Sequence, residues 1–293
     1  MNAPLDPTTL AGYGRLALTA REIVEGFLSG LHKSPYKGFS VEFAEHRQYA
    51  PGDEIRHIDW RVLGKTDHYF IKEYEEETNL QAHLLVDASG SMAYGAPSKY
   101  AFACQAAAAL SYLMLRQLDQ VGLLVHDDAI RAMLPPSTAS KHWLRLVQTL
   151  QSAKPGGETQ LAPLWHRLCR QLRRRGLIVI LSDGFDRIDD LILALRDFRH
   201  AGHEVIFFHV LAPQEIDFPF QRMTQFRSLE RTDQKLVDPR QLREDYLRNF
   251  AAFCERLQGE ARTMRIDYHR LRTDEPIQQA LGLYLADRQR RSR

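Results

Sequence analysis

Leu84-Leu85-Val86-Asp87-Ala88-Ser89-Gly90-Ser91-Met92 sets an aspartate and two serines at alternate positions directly after three apolar residues. The apolar run reads as a strand buried on both faces. In a parallel α/β sheet the carboxyl ends of the strands open into the ligand crevice, so a carboxylate and two hydroxyls there converge on one point. A set of hard oxygen donors suits magnesium, manganese or calcium, whereas zinc favours His or Cys. Alone, Ser-Gly-Ser after a strand is equally an ordinary turn. Two later segments carry the same kind of group. Pro155-Gly156-Gly157-Glu158-Thr159-Gln160-Leu161 is a glycine-rich loop running into an amphipathic helix, and it presents the hydroxyl of Thr159. Leu177-Ile178-Val179-Ile180-Leu181-Ser182-Asp183-Gly184 is a second apolar strand ending in an aspartate.

Taken in order, D-x-S-x-S, then T, then D, the chain resembles a von Willebrand factor A domain with its metal-ion-dependent adhesion site. The resemblance implies that Ser89, Ser91 and Thr159 bind a divalent ion, most naturally magnesium, directly or through water. It implies that Asp87 and Asp183 hold that ion directly or through bound waters, and that one coordination position stays open for a carboxylate from a protein partner. The bland alternative is that the aspartates only cap loops. A catalytic alternative makes Asp87 a phosphoryl-accepting nucleophile, as in haloacid-dehalogenase-like magnesium-dependent phosphatases. Those enzymes need a leaving-group acid two residues on, where this chain has Ser89.

A second resemblance lies upstream. Gly38-Phe39-Ser40, Glu42-Phe43, Glu45-His46-Arg47-Gln48-Tyr49, Pro51-Gly52-Asp53, Arg56-His57-Ile58-Asp59-Trp60 and Lys72-Glu73-Tyr74-Glu75 are similar to the signature of the DUF58 family, whose biochemical activity is uncharacterised. That signature precedes a von Willebrand A-like domain in the family, as it does here. The resemblance further implies association with a MoxR-type AAA+ ATPase, the pair acting in assembly or maturation of other protein complexes. The expected function is therefore a non-enzymatic, metal-dependent protein-protein interaction module.

The elements needed to position these groups are legible in outline. Residues 9–31 carry apolar residues at helical spacing broken by Gly12, Gly14, Gly26 and Gly30, which predicts one or two short helices. Phe39, Val41 and Phe43 alternate with polar residues as a half-buried strand, and Ala50-Pro51-Gly52-Asp53 reads as a turn. A short helical piece carries Ile55, Ile58 and Leu63, and His68 to Glu76 alternates again. From Leu80 strands and helices alternate, which argues for a mainly parallel sheet covered on both faces. Asp127-Asp128 between two apolar runs predicts a hairpin and one antiparallel edge strand. The run Arg173-Arg174-Arg175 is expected in the last turn of a helix before Gly176. Phe218 to Val237 reads as a hairpin insertion, and Asp238-Pro239 as a helix start. The expected fold is α/β and Rossmann-like, of von Willebrand A type, with a smaller N-terminal α+β appendage. The domains are residues 1–79, 80–288 and a basic tail, 289–293.

Composition narrows the function classes. With 39 basic against 37 acidic residues the net charge of +2 argues for neither nucleic acid nor a membrane surface. Cys104, Cys169 and Cys254 stand far apart and read as buried thiols of a reducing compartment. No apolar run approaches the ~20 residues that cross a bilayer, and the start lacks the apolar core of a secretory signal. The expected location is cytoplasmic, without direct membrane insertion. His46, His57 and His68 match no zinc-ligand spacing, Trp60 reads as an interface anchor, and no P-loop or G-x-G-x-x-G is present.

Overall fold

The computed structural model describes residues 14–33, 46–48, 70–72, 80–139, 141–157, 160–172, 174–230 and 233–291. The chain divides into two units, residues 1–28 with 80–293, and residues 29–79. Helix α1 (Gly14–Lys33) is continuous, where the glycines led to an expectation of one or two short helices. Ala17, Ala20 and Val24 form a fully buried stripe along it, while a Cβ at Gly26 would meet nothing within 4 Å, so that glycine interrupts no packing. In residues 29–79 the strands β1 (His46–Gln48) and β2 (Phe70–Lys72) pair antiparallel, with His46 opposite Lys72. The expected strand at Phe39–Phe43, the turn at Pro51-Gly52, the helical piece at Ile55–Leu63 and Trp60 lie outside the described residues.

The larger unit follows strand and helix in alternation. In chain order it comprises β3 (Gln81–Asp87), α2 (Lys99–Arg116), β4 (Gln120–His126), β5 (Ile130–Ser137), α3 (His142–Ser152), α4 (Leu161–Gln171), β6 (Leu177–Ser182), α5 (Ile188–His200) and β7 (Glu204–Leu211). It continues with the short α6 (Pro213–Asp217), β8 (Thr224–Arg227), β9 (Gln234–Val237), α7 (Pro239–Thr263), β10 (Asp267–Arg272) and α8 (Gln278–Arg291). Six strands form one sheet in the order β10-β7-β6-β3-β4-β5, parallel except for the edge pair β4-β5. Every residue of β6 and all but the first of β4 is buried, which is why these strands read as unbroken apolar runs. The edge strand β5 carries Pro135 and Pro136, which lack donors and blunt further pairing.

Chain direction explains the layers. From β3 the chain crosses through α2 to β4 on one side, whereas β6, β7 and β10 follow one another on the other side. Right-handed crossovers then put the helices of the two halves on opposite faces. One core gathers Leu85, Ile178, Ile180 and Phe207 of the sheet under α4, α5 and α7, around the fully buried Trp165. The alternate residues Leu84, Val86, Val179 and Leu181 are buried on the other face. There α2 packs with α3, Trp143 Nε1 donating to Ala108 O at 3.0 Å. β3 and β6 are neighbours whose chains leave in opposite directions, and this switch point opens a crevice at their carboxyl ends. Asp238 caps α7, accepting from Arg240 N, with Pro239 in the first turn. α4 stops at Gln171, so Arg174 and Arg175 lie beyond the helix rather than in its last turn.

Candidate metal centre

Asp87 is the last residue of β3 and Asp183 the first beyond β6, so both stand at the switch point. Asp87 is fully buried: its Oδ1 accepts from Ser89 N at 2.8 Å and its Oδ2 from Ser182 Oγ at 2.5 Å. The turn after β3 brings the Ser89 and Ser91 hydroxyls to 3.1 Å from one another. Asp183 Oδ1 accepts from Phe185 N at 3.1 Å. The glycine-rich loop is tied to the same turn by its backbone, with Gly156 N donating to Ala88 O at 2.8 Å and Gly90 N donating to Gly157 O at 3.1 Å. Gly157 has φ +83°, and a Cβ there would come within 2.8 Å of Asp127 Oδ2. Only glycine serves both demands. The structure thus brings together Asp87, Ser89, Ser91 and Asp183, while Thr159 lies outside the described residues.

Several partners of the site carry no motif. Lys99, at the start of α2, donates through Nζ to Asp183 Oδ2 at 2.7 Å and to Glu215 Oε1 at 2.5 Å. Its side chain is 1% exposed. Glu215 on α6 closes that short helix by accepting from Ala212 N at 2.8 Å. Asp186 Oδ2 accepts from Leu161 N and Ala162 N at 2.9 and 3.2 Å, so the loop after β6 caps the N-terminus of α4. The signal for Lys99 was present but ambiguous, a lone lysine heading an otherwise apolar helix. Glu215 had none, being far away in sequence.

Charge in this crevice is unbalanced. Burial, then repulsion from Asp183, pushes the Asp87 carboxyl up to about 7 against the hydrogen bonds from Ser182 and Ser89. Burial works the same way on Asp183, but the Lys99 ammonium outweighs it and holds that carboxyl below its ordinary value. For Lys99 the order is reversed: burial disfavours the cation, and Asp183 with Glu215 raise it above the usual lysine value.

The family model described as "Protein of unknown function DUF58" matches residues 45–255. The chain belongs to the DUF58 family. Two relatives, the uncharacterized proteins Rv1480 of Mycobacterium tuberculosis (strain ATCC 25618 / H37Rv) and Mb1516 of Mycobacterium bovis, are each 30% identical over 292 residues, covering 97% of this chain and 91% of theirs. Among solved structures, this DUF58 chain is similar to the conserved hypothetical protein BatB from Bacteroides thetaiotaomicron, with TM-score 0.49 and 16% identity over 71% of this chain and 98% of that one. An aerotolerance-related membrane protein from Bacteroides fragilis gives TM-score 0.46 and 18% identity over 69% and 96%. Likenesses this distant leave the chemistry to the site's own residues.

Those residues fit a divalent cation in kind and in charge. Among the described residues no three His, Cys, Asp or Glu side chains form a metal cluster, so the DUF58 site rests on two carboxylates and two hydroxyls, hard donors throughout. The Lys99 ammonium is shared by Asp183 and Glu215, while Asp87 stands against Asp183 and is repelled by it. The two negative charges left over are what a divalent ion would cancel.

Proposed function

We propose that this DUF58 protein is a metal-dependent protein-interaction module of von Willebrand A type. Asp87, Ser89 and Ser91 would hold a divalent cation, most naturally magnesium, with Asp183 and Thr159 supporting it. When bound, the ion supplies a Lewis-acidic position that takes a carboxylate from a partner protein in a charge-assisted contact. The observation that carries this reading is the convergence of Asp87, Ser89, Ser91 and Asp183 at the switch point of the sheet, with the two hydroxyls 3.1 Å apart. The partner is read as a MoxR-type AAA+ ATPase acting with this chain in assembly or maturation of other complexes, in the cytoplasm. No helix among the described residues is long and apolar enough to cross a membrane.

A non-enzymatic role is favoured over phosphoryl transfer by the state of Asp87. Its carboxylate is 0% exposed, which closes it to a bulky phosphate ester, while each oxygen accepts one hydrogen bond and keeps a second lone pair for a small ion. Position 89 offers a hydroxyl in place of a leaving-group acid. Calorimetric titration with magnesium or manganese tests the reading. Binding with a stoichiometry near one, lost in Asp87→Ala, is expected; a variant that binds as the native chain does would remove the site. Magnesium-dependent hydrolysis of a generic phosphate ester, lost in Asp87→Asn, would replace it with the phosphatase reading.

A further inference from the structure

Beside Ser91 lies a cavity of about 510 Å³ that the proposed carboxylate contact does not use. Its size falls within the ~300–1,000 Å³ of ligand pockets. Its wall is aromatic: Tyr94, Phe185, Phe218, Phe226 and Tyr246 line it, joined by Leu242. Four separate parts of the chain supply these rings, the turn after β3, the loop after β6, the segment from α6 through the β8-β9 hairpin, and α7. Phe218 anchors the wall, its ring centroid 4.5 Å from that of Tyr246 and stacked 6.0 Å from that of Phe226. Phe185 and Leu242, by contrast, are 69% and 45% exposed. Side chains of that size left open around a concave surface, with Phe185 two residues beyond Asp183, form an exposed apolar patch at the edge of the site. The polar groups on the rim favour one charge. Arg227 and Lys235 line the cavity from the hairpin, and of the acids there Glu215 is already engaged by Lys99 while Glu230 stands against two cations.

We propose that the cavity is the side-chain pocket of a peptide site. It receives an aromatic or large aliphatic side chain from the same acidic segment whose carboxylate reaches the metal position at Ser91. Arg227 and Lys235 face further acidic residues of that segment. The proposal rests on the metal-dependent reading above and adds the class of sequence that the partner must present. Ser91 belongs to both the metal site and the cavity, so the two anchors lie only a few residues apart along an extended peptide. The acid supplies dependence on the metal and the apolar anchor supplies affinity by filling a desolvated pocket.

Selection from a library of short random peptides on the immobilised full chain in magnesium, with elution by chelator, tests this. The expected peptides carry Asp or Glu with Phe, Tyr, Trp or Leu within four residues of it. Replacing that apolar residue by alanine should weaken binding about tenfold by fluorescence anisotropy. Phe185→Ala and Leu242→Ala, at exposed positions that the fold does not need, should produce a similar loss while leaving calorimetric magnesium binding unchanged. Chelator-eluted peptides enriched in acids alone would overturn the pocket and leave the metal-dependent reading standing. Apolar peptides that chelator does not release, or no enrichment at all, would overturn both. Displacement of the selected peptides by laurate at concentrations below its micelle point would assign the cavity to a fatty acid instead.

Discussion

A lysine whose side chain is 1% exposed is either ionised among acids or neutral among apolar groups, and Lys99 stands among acids. It ties the start of α2 to Asp183 and Glu215, 84 and 116 residues further along the chain, so it acts as a structural cation beneath the metal position. Lys99→Met should leave the buried Asp183 facing the half-buried Glu215 with no cation between them and cost about 3 kcal/mol, read as a fall in the urea midpoint. Adding Asp183→Asn should recover part of that loss, because the charge left without its partner is then gone. A single variant as stable as the native chain would show that the pair is not formed. Asp87 gives the opposite expectation, since its carboxylate is buried beside Asp183 with no cation of its own. Asp87→Asn should melt no lower than the native chain in chelator, and magnesium should raise the melting temperature of the native chain alone. A marked loss of stability in chelator would mean that the ionised carboxylate is needed by the fold itself. The signal of Lys99 was ambiguous because a lysine one residue after the capping Ser98 also reads as an exposed first-turn cation. Its burial depends on Glu215, which no local pattern connects to it.

The β8-β9 hairpin is the element through which the rest of the domain reaches the site. A Cβ on Gly90 would lie 2.6 Å from Leu229 O, and 3.0 Å from both Glu230 Cγ and Gly157 O. Two of those atoms are backbone and cannot swing aside. Gly90→Ala should therefore push the hairpin turn off the site, at a cost of about 1–3 kcal/mol. The displacement should appear as faster tryptic cleavage at Arg227 and Lys235. Gly156→Ala is the control, because a Cβ there meets nothing within 4 Å and the melting temperature should barely move. Equal effects from the two substitutions would mean that close approach at Gly90 is not what selects glycine. The hairpin itself was readable as an irregular insertion between Phe218 and Val237, but its strands of four residues each give no periodicity from which a contact with residue 90 follows. Gly90 looked like turn chemistry in Ser-Gly-Ser. The structure gives it a packing reason instead, which depends on a segment some 140 residues away. Helix α1 teaches the converse, since its glycines suggested breaks while the helix runs unbroken from Gly14 through Gly26 to Lys33.

At the scale of the whole molecule, the sheet was legible because strands covered on both faces must be apolar at every position, and such runs end abruptly where the crevice begins. That is why Asp87 and Asp183 stood out and why the switch point coincides with them. Polar residues fully or partly buried in the layers were not legible, and three histidines show what they do. Burial lowers His83 to about 4, with repulsion from His203 adding to it, and lowers His126 to about 4. Burial lowers His203 as well. His126 gives a geometric reason to stay neutral: Trp165 Nε1 donates to its Nε2 at 3.3 Å, and a protonated Nε2 could not accept. A histidine whose pKa is lowered by folding binds a proton more readily when unfolded. Its contribution is therefore intact above about 6.5 and is lost as the pH falls towards 4, at up to ~1.4 kcal/mol per pH unit for each such group. Asp87 works against this across much of the same window, because its carboxyl is pushed up to about 7 and the folded state gains from its protonation. The difference between two proteins therefore carries the test. His126→Gln keeps an acceptor for the Trp165 indole and removes the titration. In chelator, its urea midpoint should fall less than that of the native chain between pH 7 and pH 4.5, after starting equal or slightly lower at pH 7. Parallel midpoints across that range would mean that His126 takes up its proton without unfolding, and that the indole contact does not hold it neutral.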